Sequence, residues 1–286
     1  MTTLTSAAPK AHDGSLATRV RWPLRAWMAV EVVFGLLSIG SVFLNPGNTA
    51  QDFAWPIKPV VMAALLGAYY FSAALIFVLP LFARTWQQVR PMIIPTAVFS
   101  LAMDLATVLH WDKFSVGALP FYVWLASYVL PPPIFGALYW WHQRDAAPVG
   151  APGEHPLPGW ARTFLRVNGL AQTAIAALFF AVPSLLQQIG PWAFTPLTAR
   201  TLSGWMLGAG LLQLWMSWEG DWHHIRLATT MLLVLPCAIV FQLVRFGGGD
   251  VSWSNLALWV LILDSSAVAL ALGYLWLTAG GRARAS

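Results

Sequence analysis

The chain has 286 residues, yet Lys, Arg, Asp and Glu make up only 9% of it, against roughly 25% in an ordinary globular protein. That is too little charge to solvate a folded surface of this size, and 58% of the residues are apolar or aromatic, including 17 Trp. A soluble enzyme, a disordered chain and a nucleic-acid-binding domain are thereby excluded, the last because the basic residues form no continuous stripe.

In chain order, residues 1–23 read as a flexible polar tail, rich in Thr, Ser and Pro and too poor in apolar residues to fold alone. Apolar blocks of about twenty residues follow, each long enough to cross the hydrocarbon core at about 1.5 Å per residue. Eight are expected, at 24–44, 56–82, 91–110, 119–141, 167–187, 197–218, 226–246 and 255–277. Residues 142–166 carry Pro148, Pro152, Pro156 and Pro158 among glycines and read as a linker between two membrane halves, 24–141 and 167–277. Residues 278–286 form a short tail. The expected fold is an all-α integral membrane protein.

Charge placement gives a direction. With the N-terminus cytosolic, 12 of the 16 basic residues fall on the cytosolic side, and Lys58, Lys113, Arg200 and Arg245 fall on the other. The positive-inside rule therefore places both termini in the cytosol. The preference for Arg over Lys, with abundant Ala, Leu, Gly and Trp, fits GC-rich coding and a bacterial plasma membrane. Cys237 is the single cysteine, so no intrachain disulfide exists.

The two halves share detail. Thr85-Trp86-Gln87-Gln88-Val89-Arg90 and Asp221-Trp222-His223-His224-Ile225-Arg226 have the pattern Trp-x-x-(Val/Ile)-Arg, and Phe53-Ala54-Trp55-Pro56 and Phe194-Thr195-Pro196 precede the second and sixth blocks. Four spans per half keep both halves in one orientation, related by an axis along the membrane normal. Ala63 and Gly67 align with Gly204 and Gly208, a small-xxx-small spacing that lets helices approach closely, so the second and sixth helices are expected at the centre. Trp86, Arg90, Trp222 and Arg226 read as anchors at the membrane interface. This duplicated pattern resembles a group of uncharacterised multi-pass membrane proteins of high-GC bacteria; the resemblance implies neither a catalytic residue nor a substrate.

Acidic residues within a bilayer need a partner, a proton or water. Glu31 lies near the cytosolic end of the first block, where it reads as snorkelling or paired with Arg25. Asp104 is open between a structural and a functional role. Asp264, followed by Ser265 and Ser266, lies near the midplane of the last block. At similar depth in the fourth block, Pro131, Pro132 and Pro133 supply no amide donors, which frees the carbonyls of Ser127, Tyr128 and Val129. These residues suggest a polar pocket between the fourth and eighth helices that takes a small solute or a lipid. The run from Glu219 to His224 places four candidate ligands in six residues, but adjacent histidines on one helix point about 100° apart. It reads as a solvated loop, and neither a metal nor a cofactor is expected. His110 and Asp112 form a candidate pair at the outer surface.

Three classes of function stay open. A transporter or permease-like protein is favoured by the duplication and the midplane polar groups. A membrane enzyme acting on lipid or isoprenoid would use Asp104, His110 or Asp264 as acid or base. An accessory or scaffold subunit would have a dry interior. Membrane lipids are the expected surroundings, and oligomeric state is not legible.

Overall fold

The structure, a computed structural model, describes residues 18–282; the expected N-terminal tail lies mostly outside them, as do residues 283–286. The described chain is helical, with two isolated β-bridges as its extended pairings. In order the helices are α1 (Trp22–Ser38), α2 (Thr49–Asp52), α3 (Val60–Val78), α4 (Trp86–Leu109), α5 (Leu119–Val129), α6 (Pro131–Gln143), α7 (Gly159–Ala181), α8 (Pro183–Ile189), α9 (Pro196–Glu219), α10 (Trp222–Phe246) and α11 (Leu256–Arg282).

Seven helical segments of 23 to 25 residues are long and apolar enough to cross a membrane, each about 35 Å at the α-helical rise. One of them is α1 with its π-helical continuation, Trp22–Leu44, and another is α5 joined to α6, Leu119–Gln143. The sixth expected span is the exception. α9 has 24 residues but is too polar to qualify, carrying Thr198, Thr201, Ser203, Gln213, Ser217 and Glu219, all buried. A helix enclosed by protein rather than lipid has no need of an apolar surface.

The core consists of α3, α4, α9 and α10. α3 packs along α10, and α4 packs along both α9 and α10. Around this core α1 lies on α3, α5 and α6 on α4, α7 on α9, and α11 on α10. The outer helices expose apolar side chains, among them Val33, Leu36, Val167, Leu170, Leu263 and Leu270, as a lipid-facing surface requires.

Two junctions at the arginine-rich end are built alike. The amide of Trp86 donates to the carbonyl of Thr18 at 2.7 Å, and the amide of Val20 to that of Arg84 at 3.4 Å. In the second junction Trp222 donates to His155 and Leu157 to Gly220, both at 2.8 Å. Each junction satisfies amides that a helix start would leave unpaired. Thr85 and Gln88 form a capping box on α4, and the Asp221 carboxylate accepts from the amides of His223 and His155 at 2.8 Å each. The Trp-x-x-(Val/Ile)-Arg segments are therefore first helical turns. Their expected role as interface anchors is corrected at three positions: Trp86, Arg90 and Trp222 are enclosed by protein. Arg226 is half-buried, and its Nε has no hydrogen-bond partner.

The small residues open different contacts. A Cβ on Gly67 would collide with the backbone of Val42 and Phe43, one on Gly204 with the Met103 side chain, and one on Gly208 would press on Phe99 at 3.2 Å. Ala63 is fully buried. Gly67 thus admits the end of the first span against α3, while Gly204 and Gly208 admit α4 against α9. Pro131, Pro132 and Pro133 interrupt the fourth span less than expected. Leu130 keeps right-handed helical angles, its amide bonds to Ala126, and the amide of Ile134 bonds to Leu130, both at 3.3 Å. Proline is tolerated in a first helical turn, so α6 resumes at once.

Candidate functional site

The expected pocket between the fourth and eighth helices is not the grouping that the packing favours. The chief neighbours of α11 are α10 and α7, whereas α5 and α6 lie on α4 and α1. The polar residues at mid-membrane depth divide into two centres.

The first surrounds Glu31. This residue lies about halfway along Trp22–Leu44 and is 5% exposed, and its Oε1 has no hydrogen-bond partner. Arg25 does not reach it: that guanidinium donates to the carbonyls of Leu81 at 2.6 Å and Ala83 at 2.7 Å. Glu31 is therefore neither snorkelling nor paired. Its neighbours across the cavity are the phenols of Tyr70, from α3, and Tyr128, from α5, hydrogen-bonded to each other at 2.5 Å. Ser38 lies close to the Tyr70 phenol. Glu31, Ser38, Tyr70, Ser127 and Tyr128 line a cavity of about 40 Å3, more than a single water needs. A second cavity of about 40 Å3 adjoins it and shares Ala73, Phe77, Thr96, Phe99 and Trp205. Trp205 closes the centre, its ring 4.2 Å from Phe99 and 4.9 Å from Tyr70 between centroids.

A vestibule of about 170 Å3 leads toward this cavity from the end opposite the arginine-rich one. It is lined by Ser41, Asp52, Leu119 and Trp124, and it shares Ser38 and Ser127 with the Glu31 cavity. Asp52 at its mouth is exposed, held by the Asn45 amide at 3.4 Å.

The second centre is more fully bonded. Asn168 donates to Gln213 at 3.1 Å, and Gln213 donates to Gln172 at 2.6 Å. The Asp264 carboxyl lies within electrostatic reach of the Asn168 amide from α7, and Ser265 is occupied with the Leu261 carbonyl at 2.7 Å. Ser266 is half-buried on the same helix. Asp104 is half-buried on α4 with an unpartnered Oδ1, within electrostatic range of Tyr128. Of the residues expected from sequence to bind a ligand, Tyr128 and Ser127 line the cavity; Asp264, Ser265 and Ser266 belong to the other centre.

At the arginine-rich end, Arg90 of α4 grips Glu219 of α9 through two bonds, Nε to Oε1 at 2.6 Å and Nη2 to Oε2 at 2.5 Å. Its remaining nitrogen donates to the Ala147 carbonyl at 2.6 Å and to Gln143 at 3.2 Å. Trp86 also reaches Gln143, and Trp215 reaches Glu219. The expected solvated loop is instead an enclosed clasp, with Glu219 and Asp221 both buried. At the opposite end, His110 faces Arg200 at 2.7 Å, while Asp112 pairs with Lys113. Burial, and after it the Arg200 guanidinium, hold the His110 imidazole below its usual pKa, which suits a neutral ring accepting from arginine.

The missed residues are Glu31 as a partnerless group and Tyr70 as its neighbour. The available signal was a Tyr69-Tyr70 pair in the middle of an apolar run. Comparisons with protein-family models, curated proteins and solved structures return no match.

Proposed function

We propose that the protein is a permease-like membrane protein whose solute site is the Glu31 cavity. The observation that carries this reading is the sharing of Ser38 and Ser127 between that cavity and the vestibule. Shared lining residues put the two spaces side by side, as a route to a carboxyl near the middle of the helix would need, and intramembrane carboxyls with a cavity beside them mark solute and ion pathways.

In this reading α9 is an eighth membrane helix, and the chain is two four-helix repeats related by an axis along the membrane normal, in a bacterial plasma membrane with cytosolic termini. The duplicated junctions support it, as does the exchange of partners between halves: α3 packs on α10, and α9 on α4. Corresponding arginines behave alike. Arg25 donates to carbonyls at the end of the second span, and Arg162 to the Ser217 carbonyl at 3.4 Å near the end of α9. Glu31 and Asn168 each follow these arginines by six residues, so the two polar centres occupy matching places. One repeat has kept a free carboxyl and a cavity; the other has filled its place with amides.

Thiol chemistry tests the route. In a Cys237→Ser background, Ser127→Cys in sealed vesicles is expected to react with a membrane-impermeant methanethiosulfonate added on the vestibule side. Absence of modification from either side, with full reaction after denaturation, would show a sealed core and remove the permease reading.

A further inference from the structure

We infer that the Glu31 cavity takes a compact organic ammonium cation. This deepens the permease reading and rests on it for access from water. The cavity places one partnerless carboxyl among aromatic rings: Phe34, Tyr70, Phe77, Phe99, Tyr128 and Trp205 all line it. Each ring presents a negative face that attracts a cation. A buried carboxyl with an empty oxygen is costly unless a cation, a donor or a proton meets it, and Glu31 Oε1 has no partner in the protein.

The lining also decides between cations. Calcium and magnesium ask for several oxygen ligands, carboxylates foremost, and the lining offers one carboxylate, Glu31, beside hydroxyls of serine, threonine and tyrosine. A methylated ammonium carries its charge under apolar methyl groups, and it suits rings on its apolar flank and a carboxylate at its charge. An anion would meet Glu31 with like charge, and a neutral solute would sit beside a protonated carboxyl without the charge attraction that a cation gains. Size sets a further limit: two adjoining spaces of about 40 Å3 each suit a group of a few heavy atoms. Asp52 at the mouth of the vestibule carries the sign that concentrates cations there.

The test is equilibrium binding of radiolabelled tetramethylammonium to the purified full-length protein in detergent. Wild type is expected to bind it, methylammonium to compete, and tert-butanol, a neutral molecule of similar shape, not to compete. Glu31→Gln, which keeps the side-chain shape, is expected to weaken binding by about 30-fold or more. Phe99→Leu keeps the carboxyl, removes one ring face, and is expected to weaken binding several-fold; it serves if Glu31→Gln does not fold. Equal competition by tert-butanol, unchanged binding in the folded variants, or no binding to wild type overturns the cation assignment. If Ser127→Cys still reacts from the vestibule side in that case, the permease reading stands and only the substrate class falls.

Discussion

Replacing Arg90 with Ala is expected to lower unfolding free energy by about 3–5 kcal/mol, the range for removing one partner of a buried ion pair. The side chains of Arg90 and Glu219 are 1% and 0% exposed, so the carboxylate left behind has no water to turn to. The loss extends beyond charge. Arg90 also ties the Ala147 carbonyl and Gln143 to α4, and through them the connection between the halves. Paired replacement, Arg90→Met with Glu219→Leu, is expected to recover most of the loss, because removing both charges also removes their desolvation cost. Denaturation in detergent micelles followed by helical signal measures both. If the double variant is as unstable as Arg90→Ala, the clasp acts through its hydrogen bonds to the connection rather than through the ion pair.

Glu31→Leu is expected to do the opposite, raising stability by about 2 kcal/mol, on the order of the cost of an acidic side chain at mid-membrane. Leu is somewhat bulkier, but a cavity lies beside the side chain to take the excess, and no partner is orphaned by the change, since Oε1 bonds to nothing. Asp264→Leu supplies the contrast. It removes a carboxyl from beside the Asn168 amide and is expected to destabilise by about 1 kcal/mol. A carboxyl whose removal strengthens the fold is held for function at the expense of stability. Equal destabilisation by the two substitutions would make Glu31 an ordinary structural residue.

The membrane character of the chain is legible in composition, and most of its long helices in the apolar blocks. Boundaries are less so, for identifiable reasons. α4 starts at Trp86 rather than near residue 91 because Thr85 and Gln88 cap it, although Pro91 and Pro95 then lie inside it and suggested a later start. α7 begins at Gly159, ahead of the expected 167, since the polar residues Arg162, Thr163 and Arg166 hide its first two turns. α9 is readable as a long helix, but its enclosure depends on α4 and α7 packing on it. The candidate site follows the same logic. Asp264-Ser265-Ser266 is conspicuous as a local cluster, yet its carboxyl faces the Asn168 amide, 96 positions away in sequence. Glu31 has Arg25 six residues earlier as an apparent mate, and only three-dimensional packing gives that arginine to Leu81 and Ala83 instead. The Tyr70–Tyr128 bond joins α3 to α5, a pairing that no spacing within one helix encodes.

Counterflow of radiolabelled tetramethylammonium in proteoliposomes tests the central claim most directly. With unlabelled cation inside, vesicles holding the wild-type protein are expected to accumulate label transiently, while Glu31→Gln vesicles stay at the level of protein-free liposomes. Equal accumulation by wild type and Glu31→Gln, or none by either, would contradict a cation route through the Glu31 cavity.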